Sequence, residues 1–134
     1  MDRIVKVSAA FLLVLGLLGC AFPATTCPAG LSLLTKAELF FGRGLAGGGE
    51  VSEGEWQHFV DSEITPRFPD GLTIEDAAGQ WKGSAGPVRE RAKHVVIVLT
   101  RDEGAKLAAI RMAYKTRFHQ ESVLLLQNPG CGSF

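Results

Sequence analysis

Thr65-Pro66-Arg67-Phe68-Pro69-Asp70-Gly71-Leu72-Thr73 joins two regular patterns of opposite kind. Pro66 stops a helix arriving from upstream, because the residue before a proline is pushed out of the α region. Within Phe68-Pro69-Asp70-Gly71, the proline pre-sets its own φ and the glycine takes a positive φ without steric cost, which is the chemistry of a tight turn. A strand follows over residues 72–77, with Leu72, Ile74 and Asp76 on one side. A helix stop, a turn and a strand start in so few residues mark the α-to-β passage of a β-α-β unit.

Working outward, the helix before Pro66 runs from Glu53 to about Ile64. Ser52 and Glu55 have the Ser-x-x-Glu spacing of a capping box. Trp56, Phe59, Val60 and Ile64 share one face at helical spacing, and His58 falls off that stripe. A strand precedes the helix over residues 33–41 and stops at Gly42. Gly42-Arg43-Gly44-Leu45-Ala46-Gly47 is a literal G-x-G-x-x-G after a strand. In a dinucleotide site the helix opens within those glycines. Here the helix signal comes later, at Ser52, so the segment reads as a flexible surface connection and implies no cofactor.

Downstream, polar residues 82–91, with Gly83, Gly86 and Pro87, read as a hairpin loop. Residues 93–100 contain Val95-Val96-Ile97-Val98-Leu99, apolar on both faces and therefore a covered central strand. Thr100 and Glu103 suggest a second capping box. The helix to Phe118 carries Leu107, Ile110, Tyr114 and Phe118 on one side. Residues 122–126 form the last strand, which Asn128-Pro129-Gly130 breaks. The order β-α-β-β-α-β predicts an α+β, ferredoxin-like sandwich: an antiparallel four-stranded sheet with two helices on one face.

The N-terminus predicts export and lipid anchoring. Arg3 and Lys6 precede an uncharged run over residues 7–18. That run is too short to span a bilayer, which needs about 20 residues, and reads as a signal-peptide core. Leu17-Leu18-Gly19-Cys20 has the form of a lipobox, so Cys20 is the expected lipidation site. Two or more acyl chains there would give stable anchoring. Ala21 after Cys20 points to the outer membrane, facing the periplasm. The expected organisation is a signal peptide over 1–19, a tether over 20–34, the domain over 35–128 and a C-terminal tail over 129–134. Loss of Asp2, Arg3 and Lys6 with the signal peptide leaves 12 Lys+Arg against 13 Asp+Glu. No basic face is implied, and nucleic acid is not an expected partner.

Cys27 and Cys131 would remain in an oxidising compartment, where a thiol pair is a disulfide candidate. In the predicted topology the start of the first strand lies beside the end of the last, which brings the two cysteines to one edge. Apolar side chains of Phe40 and Phe41, residues 95–99 and residues 124–126 point to both sheet faces. A second copy packed sheet to sheet is the expected cover, with partial cover by the 82–91 loop and the tether as the alternative.

The sequence resembles an uncharacterised family of bacterial exported proteins, domain of unknown function 3574. The resemblance is carried by Glu38-Leu39-Phe40-Phe41-Gly42, Glu55-Trp56 with Phe59, and Ile64 through Thr73. It continues in Asp76-Ala77, Gly79-Gln80-Trp81, Arg89-Glu90-Arg91, Tyr114, Arg117-Phe118 and Gln120-Glu121-Ser122-Val123-Leu124. It implies a domain over about residues 36–126 and carries over no activity. The glycine-rich connection and the cysteine pair depart from the family pattern.

Hydrolase and zinc-protease motifs are absent from the sequence, and His58, His94 and His119 are scattered over different elements, so neither a catalytic residue nor a metal site is assigned. The candidate ligand-binding set is Arg67, Trp81, Tyr114, Arg117 and Gln120, with Asp70 and Gln80 nearby. Arg67 and Arg117 would grip an anion by paired hydrogen bonds, and Trp81 would supply a stacking wall. Two functions are weighed: a non-enzymatic envelope binding module, and a small cofactor-free enzyme acting between sheets of a homodimer. In the second, Tyr114 or His94 serves as acid/base and Arg117 holds an anion.

Overall fold

Alternating burial along residues 32–42 and 86–99 builds the centre of the molecule. The structure, a computed structural model, describes residues 26–83 and 86–134; the predicted signal peptide and Cys20 lie outside the described residues. The elements are β1 (Ser32–Gly42), α1 (Glu53–Phe59) with a π-helical turn (Val60–Ile64), β2 (Thr73–Gly83), β3 (Gly86–Leu99), α2 (Gly104–Phe118) and β4 (Leu124–Gly132). All strand pairs are antiparallel, in the order β2-β3-β1-β4. This is the ferredoxin-like α+β arrangement read from the sequence.

Ala37, Leu39 and Phe41 of β1 and Val95, Ile97 and Leu99 of β3 face the helices and are buried. Trp56, Phe59, Val60 and Ile64 meet them from the first helix, and Leu107, Ile110, Tyr114 and Phe118 from the second, so both predicted stripes form the core. The capping box forms as read: Ser52 Oγ accepts from Glu55 N, and Glu55 Oε2 accepts from Ser52 N. Thr65 N donates to Val60 O, widening the last turn to π geometry, and Pro66, which has no N–H, ends it.

Four expectations are corrected. Residues 82–91 are not a loop: β2 and β3 pair to Gly83↔Gly86, and Pro87 lies where β3 has a neighbour on one side only, so its missing N–H breaks no ladder. Likewise β4 continues through Pro129 to Gly132, because it is an edge strand paired only to β1; the domain extends past residue 128 and begins at Ser32, inside the expected tether. Thr100 and Glu103 form no capping box; α2 opens at Gly104, whose N–H donates to Asp102 Oδ1. The segment after Gly42 is an ordered hairpin. Gly44 bridges Glu50, Val51 N donates to Arg43 O, and Gly48 and Gly49 take the positive φ values that its turn requires.

Burial of Arg43 and Lys93 fixes that hairpin. The Arg43 guanidinium donates to Val51 O and pairs with Glu53, while Lys93 Nζ pairs with Glu53 at 2.8 Å and Asp76 at 2.6 Å. Burial opposes the charged form of Lys93, but its bonds to Asp76 and Glu53 outweigh that and raise its pKa. The bond from Lys93 holds Glu53 below its ordinary 4.5 and Asp76 below its ordinary 3.8. A carboxylate with a lowered folded-state pKa adds stability above its unfolded value and loses it as pH falls through the folded one. Wild type should therefore melt above Glu53→Gln at about pH 6, and the gap should close below about pH 4. A gap independent of pH in calorimetry would refute this role.

Cys27 and Cys131 are joined by a disulfide at one end of the sheet, beside the Leu33↔Cys131 pair of β1 and β4. The face of the sheet opposite the helices is met at its Gly42 end by the segments around Gly44 and Gln120, through Glu90, and is otherwise open among the described residues. Val98, Leu124 and Leu126 are exposed there, and Val96 is half-buried, so the central strand is not covered on both sides.

Candidate functional site on the open sheet face

Strand alternation places Phe40 and Gly42 of β1, Ala77, Gly79 and Trp81 of β2, Glu90 and Ala92 of β3, and Leu124 of β4 on the open face. Together they floor a cleft of ≈ 720 Å³. Leu45 and Ala46 of the 43–51 hairpin and His119 to Ser122 after α2 form its rim. His119 ends α2 in the left-handed conformation, φ 52, which turns the chain back over the sheet.

Glu90 organises this end of the sheet. Its Oε2 accepts from Gly44 N at 2.8 Å and its Oε1 from Trp81 Nε1 at 2.7 Å. Gln120 Nε2 donates to Gly44 O at 2.7 Å, so side chains from two other elements hold both backbone groups of Gly44. A Cβ on Gly42 would stand 2.6 Å from Glu90 Oε1, and one on Gly44 2.7 Å from Glu90 Oε2. The first two glycines of G-x-G-x-x-G thus make room for the protein's own carboxylate, in a turn that resembles one built for pyrophosphate. Gly44→Ala should push Glu90 off these partners and cost about 1–2 kcal/mol, roughly one hydrogen bond or two. Gly47→Ala, which meets open space, should stay within about 0.5 kcal/mol. Equal urea midpoints for the two variants would contradict the assignment.

The residues proposed from sequence divide into four places. Trp81 and Gln120 line the cleft, as does Gln80, which accepts from Arg89 Nε. Arg67 and Arg117 do meet, but on Glu63 in the helical layer: Arg67 NH1 reaches Glu63 Oε2 at 2.9 Å and Arg117 NH2 reaches Glu63 Oε1 at 3.1 Å. Arg117 also lies over the Phe59 ring. Their anion is internal, so the expected two-arginine grip on a ligand does not form. Tyr114 is fully buried and donates to Gly42 O at 2.8 Å. Burial first, and Glu90 also, push its pKa well above the ordinary 10.0 against the nearby Arg43, which removes it as a base near neutral pH. Asp70 is exposed in its turn.

His94 lies beside the cleft, stacked on Phe40 with ring centroids 4.4 Å apart. Its Nδ1 is 3.0 Å from Glu75 Oε2, and its buried Nε2 is 3.4 Å from Glu38 Oε1 without hydrogen-bond geometry. Among the described residues no group of three or more His, Cys, Asp or Glu is placed to hold a metal ion.

Sequence reasoning missed Glu90, Phe40 and Leu124 as cleft residues. Two glycines alternating at a strand end were the available signal, because such glycines mark the close approach of another group.

In fold the chain is similar to a phage SAM lyase in complex with S-methyl-5'-thioadenosine, with TM-score 0.59 and 14% identity over 75% of this chain and 90% of that one. It is similar to a phage SAM lyase in the apo state, with TM-score 0.57 and 17% identity over 79% and 86%. A third solved structure, CutA from Synechococcus elongatus, gives TM-score 0.49 and 12% identity over 76% and 86%. At these identities the likeness is one of fold. A comparison with curated proteins finds no significant match. The family described as "Protein of unknown function (DUF3574)" matches residues 36–134, and the chain belongs to that family.

Proposed function

We propose that this protein is a lipid-anchored envelope module, non-enzymatic, that binds a small ligand in the cleft on its open sheet face. The observation that carries the reading is the cleft itself: apolar on its floor, bounded by Trp81 and Gln120, and held in shape by Glu90. Small-molecule sites are concave, mostly apolar and fixed by a few polar groups. The cleft also lies at the far end of β1 from the disulfide. From Leu33 to Phe40 is seven residues, or about 24 Å of strand. A chain anchored through Cys20 and clipped at Cys27 would present the cleft away from the membrane. Palmitate labelling of wild type but not of Cys20→Ala is the expected result for the anchor.

A ligand screen by thermal shift on the full chain tests the cleft. Hits should vanish in Ala77→Trp, which fills the floor, while its baseline melting is kept. Hits that survive the substitution would place binding elsewhere.

The exposed side chains of Val98 and Leu126 favour, in addition, a homodimer packed sheet to sheet at the disulfide end of the face, leaving the cleft end free. Sedimentation as a monomer at high concentration would refute that packing. A second reading, an enzyme acting in the cleft, is favoured by His94 between Glu38 and Glu75 at its edge. The fold shared with a SAM lyase supplies the assay. Release of S-methyl-5'-thioadenosine from S-adenosylmethionine, lost in His94→Gln, would support it over the non-enzymatic reading.

A further inference from the structure

We infer, resting on the reading of the cleft as a binding site, that its ligand is a small organic cation with a flat apolar body. The cleft contains two carboxylates, Glu90 and Glu121, and no Lys or Arg lines it. Among the described residues no Lys or Arg pairs with Glu90.

The nearby cations are engaged elsewhere. Arg89 is held by Gln80 and Arg91 by Glu50, and both alternate to the opposite face of β3 from Glu90. Arg43 is buried against Val51 O and Glu53. An anionic ligand would meet two carboxylates with no Lys or Arg in the lining to offset them, His119 being the basic side chain that shares the rim.

Glu90 retains the capacity to receive a cation. An ionised carboxylate accepts about four hydrogen bonds, and Gly44 N and Trp81 Nε1 take one on each oxygen. The bond from its indole N–H fixes the Trp81 ring beside that carboxylate, with 43% of the residue exposed. An aromatic face next to an unpaired carboxylate is the arrangement that attracts ammonium-type groups, through the ring quadrupole and the charge together. Phe40 and Leu124 continue the floor and would receive the apolar body.

The probes are benzyltrimethylammonium, neutral benzyl alcohol and benzenesulfonate, titrated into the full chain and followed by tryptophan emission. Trp56 is buried and Trp81 exposed, so the signal reports the cleft and should disappear in Trp81→Phe. Benzyltrimethylammonium should bind about tenfold more tightly than benzyl alcohol, and of the three probes added salt should weaken the binding of benzyltrimethylammonium alone. Glu90→Gln should remove most of that tenfold preference. The salt series on wild type decides the matter even if Glu90→Gln folds poorly. Equal binding of benzyl alcohol and the cation, or tighter binding of benzenesulfonate, would overturn the cation assignment and leave the cleft as a site. No Trp81 response to any of the three would overturn both.

Discussion

Phe59→Ala should lower the unfolding free energy by about 3–5 kcal/mol, the range for truncating a buried aromatic that leaves a cavity. Phe59 is fully buried, and its ring touches four others: Phe41 at 5.9 Å, Trp56 at 5.9 Å, Tyr114 at 5.0 Å and Phe118 at 6.0 Å between centroids. Those partners come from β1, α1 and α2, so the ring ties the helical layer to the sheet. Edge-to-face pairs of this kind add roughly 0.5–1.5 kcal/mol beyond area burial. The cavity would not collapse readily, because Tyr114 is held by its bond to Gly42 O and Trp56 sits on the capped first turns of α1. A domain of this size has about 5–15 kcal/mol in all, so the loss is a large fraction of the total. Met112→Ala, at 62% exposure on α2, should stay within about 0.5 kcal/mol. Urea unfolding of both variants checks the claim, and a loss below about 1 kcal/mol for Phe59→Ala would show that this cluster does not organise the core.

The helices and central strands were legible in the sequence because their signals are local. The Trp56–Phe59–Val60–Ile64 and Leu107–Ile110–Tyr114–Phe118 stripes need only a 3.6-residue period, and Pro66 and Gly71 state their own geometry. The two ends misread as loop or tail carry Gly and Pro for another reason. Pro87 and Pro129 occupy strand positions without a neighbour on one side, and edge status follows from the whole topology. The site was legible only in part. Trp81 and Gln120 line the cleft as the sequence suggests, yet residue type alone does not give a charge its partner. Glu63 and Arg67 are an i,i+4 pair that spacing alone offers, but nothing local shows that Arg117, 54 residues on, reaches the same carboxylate. Glu90 looked like one charge in a polar run. Its role follows from Gly42 and Gly44, 46 residues away for the bonded pair, and no periodicity connects them.

Replacing both Cys27 and Cys131 by serine should cost about 2–5 kcal/mol, the second of the two largest effects. The bond closes a loop with a sequence separation of 104, so in the chain-entropy model it restricts nearly the whole unfolded domain, by about 4.7 kcal/mol for a loop near 100 residues. The native geometry is prepared for it. Leu31 N donates to Pro28 O, and Gly30 takes φ 83, which makes residues 28–31 a turn that returns Cys27 to the end of β4. Cys131 itself lies opposite Leu33 in the β1–β4 ladder. Because the constraint acts on the unfolded chain, the loss should be global. The urea midpoint should fall by the same amount for the double-serine variant and for reduced wild type, and amide exchange at Val95 and Ile97 should accelerate along with that at the strand ends. Acceleration confined to the ends of β1 and β4, with an unchanged midpoint, would show that the bond secures only the sheet's edge.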